Sequence, residues 1–339
     1  MKYAVLHGPL DLRLAEKPVP DVKPGHVLVK IAACGICGTD LLIYQGRTSV
    51  HYPYSSGHEC VGVVARAGEE IFHLRPGDRV AIDPNYDCGF CYYCCRGYPH
   101  LCENQKTLKV KSNGGFAEYI ALPARLAHKI PPDMPFEHAV LIESLSCAIH
   151  IMEETSIRMD DGVVIVGGGT MGLLLLQLAK MRGARAVVLS EPSEFKRQIA
   201  LKLGADLVID PRAENLADRC REYFEHGANV LIDGVGLPSL LEEVHTMLAR
   251  KGTLVLTGLG PEDHKAAVYP FRLTKDEITI KGAFLNPFAF DRAIALASKL
   301  VLADLITGIY PLEKITEAFA DALKSHHVKI AVRPGPTAE

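Results

Sequence analysis

Ten cysteines mark this chain, and five of them crowd between Cys88 and Cys102. Four follow the spacing Cys88-x2-Cys91-x2-Cys94-x7-Cys102, which lets tight turns gather four thiolates into a closed tetrahedral zinc site. Gly89 and Gly97 supply the bends, and Cys95 falls outside the repeated spacing. Because protein fills all four positions, the ion predicted here holds structure and does not react. A second set is dispersed: Cys37 within Cys34-Gly35-Ile36-Cys37-Gly38-Thr39-Asp40, and His58-Glu59 within Gly57-His58-Glu59-x2-Gly62-x5-Gly68. One thiolate, one imidazole and one carboxylate make a mixed donor set that binds zinc and leaves a position for water or substrate. The third pattern is Gly167-Gly168-Gly169-Thr170-Met171-Gly172, with the Gly167-x-Gly169-x-x-Gly172 spacing of a dinucleotide-binding turn. Glycine there lets a pyrophosphate reach the backbone, and a helix N-terminus offers it free N–H groups. Glu191, 19 residues after Gly172, is placed to bond the adenosine ribose hydroxyls and to repel a 2′-phosphate, which favours NAD over NADP. Lys196 pulls the other way, since a base in this loop either flanks the adenine or neutralises a phosphate.

These patterns need particular elements around them. The glycine turn requires a strand before it and a helix after it, and the runs 163–166 and 171–182 read as that pair. From about residue 160 the alternation continues, with strands at 186–189, 207–209, 230–232, 253–256 and 278–280 and helices at 195–203, 216–224 and 240–248. That is the pattern of a doubly wound parallel sheet. The first 140 residues differ: short β runs at 27–33, 61–67 and 79–82 between turn residues read as a compact all-β unit. The tail from residue 287 adds two helices and a strand at 328–332 that the six-stranded sheet does not need, so it is expected to return to the first domain.

The 339 residues suit two domains, and 48% hydrophobic against 23% charged residues gives ample material for buried cores. With 37 basic and 40 acidic residues, net −3, and no long single-sign run, neither a nucleic-acid nor a membrane surface is indicated. A small molecule is the expected partner. The charged stretch 1–14 lacks a secretory signal, and the longest apolar stretch, 171–179, falls far short of the roughly 20 residues that span a bilayer. A cytoplasmic location is expected, and in a reducing compartment the cysteine cluster reads as metal ligands.

Taken in order along the chain, these motifs resemble the zinc-dependent medium-chain dehydrogenases of the alcohol dehydrogenase superfamily. Val140-Leu141-Ile142-Glu143-Ser144-Leu145-Ser146 is similar to the segment that sets a second glutamate beside the catalytic zinc in the polyol and threonine dehydrogenase branch. The resemblance implies a GroES-like, mostly β catalytic domain over 1–150, carrying a zinc lobe at about 84–104. It implies a Rossmann domain over 151–285 and a return to the catalytic domain over 286–339. It further implies zinc at two sites per subunit, with Cys37, His58 and Glu59 at the catalytic ion and Glu143 as ligand or water-mediated neighbour. Thr39 supplies a hydroxyl to the proton relay, and Gly258, Leu259 and Phe284 approach the nicotinamide end of NAD. Family members are commonly homo-oligomers, tetramers or dimers.

The implied reaction is oxidation of a secondary alcohol, a polyol or sugar alcohol, with hydride passing to NAD. The loop 44–52, rich in polar and aromatic side chains, suits such a substrate. Alternatively, Arg47 and His51 clamp a phosphate or carboxylate, giving a sugar-phosphate or threonine-type amino-acid dehydrogenase. A non-catalytic nucleotide-binding protein is the remote alternative, and the presence of both Cys37 and His58 counts against it. Two departures count against sorbitol and threonine themselves: Leu285-Asn286 replaces an arginine and tyrosine, and Leu42 replaces the histidine that ends the usual proton relay.

Overall fold

The computed structural model describes residues 1–107, 114–236, 238–260, 265–324 and 326–335. It divides into two units, Met1–Ser144 with Phe290–Glu339, and Leu145–Ala289. The last four residues of the expected C-terminal return, 336–339, lie outside the described residues.

In chain order the first unit contributes β1 (Lys2–Gly8), β2 (Asp11–Glu16), β3 (His26–Gly35), β4 (Glu59–Ala67), β5 (Arg79–Ile82), β6 (Asn85–Tyr86), β7 (Lys106–Thr107), β8 (Tyr119–Pro123) and β9 (Ala127–Lys129). The second contributes β10 (Gly162–Val166), β11 (Ala186–Ser190), β12 (Leu207–Ile209), β13 (Ala228–Asp233), β14 (Leu248–Leu256) and β15 (Thr279–Gly282). The chain then returns to the first unit with β16 (Ile306–Pro311) and β17 (Lys329–Arg333).

The first unit is built on a sheet in the order β16-β17-β3-β4-β5-β9, with β8 also paired to β3. Antiparallel pairing lets one face of each strand point inward, so Val27, Val29 and Ile31 of β3 meet Val64, Val80, Phe116, Phe319 and Val332 in one core. β17 closes the unit by pairing antiparallel with the end of β3, Ala331 opposite Gly35 and Val332 opposite Cys34.

The second unit is a six-stranded parallel sheet in the order β12-β11-β10-β13-β14-β15. Its central strands are covered on both faces, which explains why Gly162–Val166 and Ala186–Ser190 are buried throughout instead of alternating. The strand order reverses direction at β10, and a crevice outside the C-terminal ends of the strands at that point is where such sheets take ligands.

Several elements differ from the expectations. The first unit is not all β: Phe136–Ala139 forms a short helix, and so does Gly38–Tyr44. Seven residues are too few to show helical periodicity, and the helix is fixed by Asp40, whose carboxylate accepts the Cys37 N–H at 3.0 Å. The helix expected over 240–248 ends at Val244, and a single 3₁₀ turn, His245–Met247, leads into β14. Leu248 opens that strand opposite Ala228, so sheet pairing overrides local helix preference. Among the described residues no helix is long and apolar enough to cross a membrane.

Candidate active site

The mixed donor set is assembled by two neighbouring strands. β3 ends at Gly35 and the chain turns through Cys37 into the helix, while β4 begins at Glu59, directly opposite Gly35. Gly35 must lack a side chain, because a Cβ there would overlap the Glu59 carboxylate. Cys37 after one strand and His58 before the next therefore emerge at the same end. One donor atom each of Cys37, His58 and Glu59 lies within 4.8 Å of the others. The residues fit zinc: a thiol, an imidazole and a carboxylate converge, and partial exposure of Cys37 and His58 leaves an approach from outside.

Buried polar groups brace the set. Asp40 is 1% exposed; it accepts N–H bonds from Cys37 and from Gly57, at 3.0 and 3.3 Å, and its carboxylate lies 3.6 Å from His58 Nδ1. One carboxylate thus orients both donors. Lys329, on β17, donates to both oxygens of Glu59 at 2.5 Å and to the carbonyl of Ile36 at 3.2 Å, and Ser144 donates to Glu59 Oε1 at 2.7 Å. Burial presses the Lys329 pKa down, but the Glu59 and Cys37 charges and the hydrogen bond to Glu59 outweigh it and hold the ammonium charged. Glu143 is buried beside these groups; desolvation, with repulsion from Glu59, pushes its carboxyl up to about 7 against the pull of His58. Thr39 Oγ1 stands 3.9 Å from Cys37 Sγ.

The four-cysteine lobe gathers Cys88, Cys91, Cys94 and Cys102 with their sulfurs within 4.8 Å of one another. Backbone N–H groups turn inward: Cys88 and Asn104 donate to Cys102 Sγ at 3.4 and 3.3 Å. The Phe90 and Cys91 amides lower the Cys88 thiol to about 6, against the effect of burial, so a thiolate is favoured before any ion binds. Cys95 is exposed and its sulfur faces the Phe90 carbonyl, outside the group.

In the second unit β10 runs straight into the glycine turn, and the helix Thr170–Met181 follows. Gly172 packs so tightly on Gly167 that a side chain there would overlap the Gly167 carbonyl. Glu191 closes the far side of the turn, accepting from Gly168 N–H and Ser193 N–H at 2.8 Å each. Gly258 and Leu259 follow β14 and Phe284 follows β15, so all three share the C-terminal edge of the sheet with the glycine turn. Gly258 N–H is held by the Asp233 carbonyl at 3.0 Å, whereas Leu259 is 70% and Phe284 43% exposed.

Comparison with known proteins places this architecture. Residues 23–132 match the alcohol dehydrogenase GroES-like domain and residues 170–299 the zinc-binding dehydrogenase domain. The chain is 32% identical to D-arabinitol dehydrogenase 1 of Uromyces fabae, over 96% of its own length and 95% of that protein's. It is 39% identical to the L-threonine 3-dehydrogenase of Pyrococcus furiosus, covering 90% of each chain. The chain is a zinc-dependent medium-chain dehydrogenase. Among solved structures, a zinc-binding dehydrogenase from Sinorhizobium meliloti 1021 bound to NADP is similar to this dehydrogenase with a TM-score of 0.94 and 31% identity, over 98% of this chain and 99% of the other.

Within the dehydrogenase, Cys37, His58 and Glu59 come together as expected from their types, and Glu143 lies alongside without joining the close donor group. The loop expected over 44–52 does not present Tyr44. That side chain is buried against Phe319, ring centroids 5.2 Å apart, because it closes the helix Gly38–Tyr44 over the core. Arg47 and His51 are exposed. Lys196 is half-buried on the helix Glu194–Lys202, but its neighbours Arg197 and Arg212 are the bases that pair with Asp210, at 3.0 and 2.9 Å. Sequence reasoning missed Asp40, Lys329 and Ser144. Asp40 lies within the Cys34–Asp40 motif but carries no signal of its own there, while Lys329 lies 270 residues from Glu59, beyond any local pattern.

Proposed function

We propose that this dehydrogenase oxidises a secondary alcohol of a polyol or sugar alcohol, with NAD as hydride acceptor. The observation that carries the reading is the convergence of Cys37, His58 and Glu59 at the open ends of β3 and β4. In this reading Cys37, His58 and Glu59, with Glu143 beside them, hold a catalytic zinc, and Cys88, Cys91, Cys94 and Cys102 hold a structural one. The zinc supplies Lewis acidity toward a substrate hydroxyl, and the nicotinamide supplies the hydride acceptor. The residues then divide the work. Thr39, next to Cys37, would relay the substrate's hydroxyl proton, its Oγ1 accepting that proton as its own O–H hydrogen passes on. Leu42 cannot carry a proton onward, so Glu143, a buried carboxyl beside the donor set, takes that part through water. Lys329 and Ser144 fix the Glu59 carboxylate by hydrogen bonds, and Asp40 lies against the His58 ring. Gly167 to Gly172, with Thr170 and Met171, cradle the pyrophosphate, and Glu191 bonds the adenosine ribose.

The preference for NAD rests on the charge of the Glu191 carboxylate at the end of β11, which would repel a 2′-phosphate; the bases Arg197 and Arg212 are already engaged by Asp210. The polyol class is supported by the arabinitol-oxidising relative, and the whole-length match to a threonine dehydrogenase makes threonine the control substrate. A cytoplasmic homo-oligomer, dimer or tetramer, completes the reading. Initial rates of NAD and NADP reduction across pentitols, hexitols, inositols, sugar phosphates and L-threonine test it. A polyol with NAD is expected to give the highest kcat/KM; a threonine or sugar-phosphate optimum would overturn the substrate assignment.

A further inference from the structure

Three metal-ligating side chains come together in the first unit outside both sets described above. Asp321 lies in the last turn of the helix Ile315–Ala322, and His326 and His327 stand in the connection from that helix to β17. One donor atom of each lies within 4.8 Å of the others, and the two rings tilt together with centroids 4.3 Å apart.

Hydrogen bonding around His327 fixes which nitrogen faces the cluster. Its Nδ1 lies 3.3 Å from Thr307 Oγ1 on β16. That hydroxyl already accepts the Val328 N–H at 2.9 Å and has the Lys329 carbonyl, 3.3 Å away, as the acceptor for its one hydrogen. The lone pair that remains can accept from His327 Nδ1, and in that tautomer the bare lone pair is on Nε2. Nε2 is buried, has no hydrogen-bond partner among the described residues, and lies 3.6 Å from Asp321 Oδ2. In that tautomer the Nε2 lone pair and the Asp321 carboxylate face each other, and a cation between them would bind both. Lys324 and Tyr310 also bond Asp321, and its two oxygens retain lone pairs beyond those contacts.

We propose that Asp321, His326 and His327 form a binding site for one divalent transition-metal ion of the zinc type, additional to the two zinc sites assigned above. Two imidazoles and a carboxylate match the ligand preference of zinc, nickel and copper and not that of magnesium or calcium. Thr307 orients the buried imidazole from behind, as a hydrogen-bond partner commonly does for a ligating histidine. A bound ion pins the end of the helix Ile315–Ala322 to His327, two residues before β17 begins at Lys329, so its effect is on the stability of the C-terminal return and not on turnover.

The test is calorimetric titration of ZnCl₂ into the full-length dehydrogenase carrying whatever ions survive desalting. One further ion per chain is expected, with a rise in Tm on adding zinc. His326→Ala alters an exposed residue and so leaves folding intact; it is expected to weaken this binding about tenfold or more and to remove the zinc-dependent rise in Tm, while the ions retained on desalting are unchanged. Thr307→Val is expected to weaken binding by about 10- to 100-fold through loss of the orienting bond. No further ion in the unaltered protein, or a further ion bound equally well by His326→Ala, would overturn the assignment.

Discussion

The pairing of Lys329 with Glu59 shows how much of the site depends on single buried groups. Lys329 is 3% exposed and Glu59 1% exposed, so neither charge has water to fall back on. Removing one partner strands the other. Lys329→Met is therefore expected to lower unfolding stability by about 3–5 kcal/mol in denaturant titration, as for other broken buried pairs; an unchanged midpoint would mean that the pair adds nothing to stability. At the nucleotide turn the same reasoning gives a smaller effect, because Glu191 already satisfies two backbone N–H groups. Glu191→Ala is expected to weaken NAD use by about 1–3 kcal/mol in kcat/KM, the range for hydrogen bonds to a charged group, and to narrow the gap to NADP. A variant that keeps full NAD preference would move discrimination to Arg197 and Arg212.

At the scale of elements, the sequence was most legible where the chemistry is local. The turn Gly167 to Gly172 and the lobe Cys88 to Cys102 each draw all their determinants from a short stretch, and both formed as their spacing implies. Mixed sites were legible only as residue types: nothing local says that Cys37 and His58 meet, since that depends on the antiparallel register of β3 with β4. The helix Gly38–Tyr44 was hidden by its length, and the end of the helix Pro238–Val244 by competition from sheet pairing. The lobe carries its own prediction. With one thiolate removed, Cys91→Ser is expected to lose the lobe's zinc and to lower Tm, while metal analysis still finds the catalytic ion. Retention of full metal content and Tm would show that the lobe closes without Cys91.

On the scale of the whole molecule, the chain interrupts one β unit with a complete doubly wound unit and then returns to the first. The return does more than close a sheet, because β17 delivers Lys329 to Glu59. Hydrophobic periodicity predicted that the tail was surplus to the six-stranded sheet, but not that it would complete the metal site. Fold and reaction class follow from the architecture and the family; the choice of substrate is not fixed by either.

The central claim is that a zinc ion held by Cys37, His58 and Glu59 drives NAD-linked alcohol oxidation. It is tested most directly by measuring, on the same desalted samples, zinc content and NAD reduction for the unaltered dehydrogenase and for Cys37→Ala. Two tightly held zinc ions per chain with turnover, against one ion and turnover reduced to background in Cys37→Ala, is the predicted result. Two tightly held ions and undiminished turnover in Cys37→Ala would contradict it.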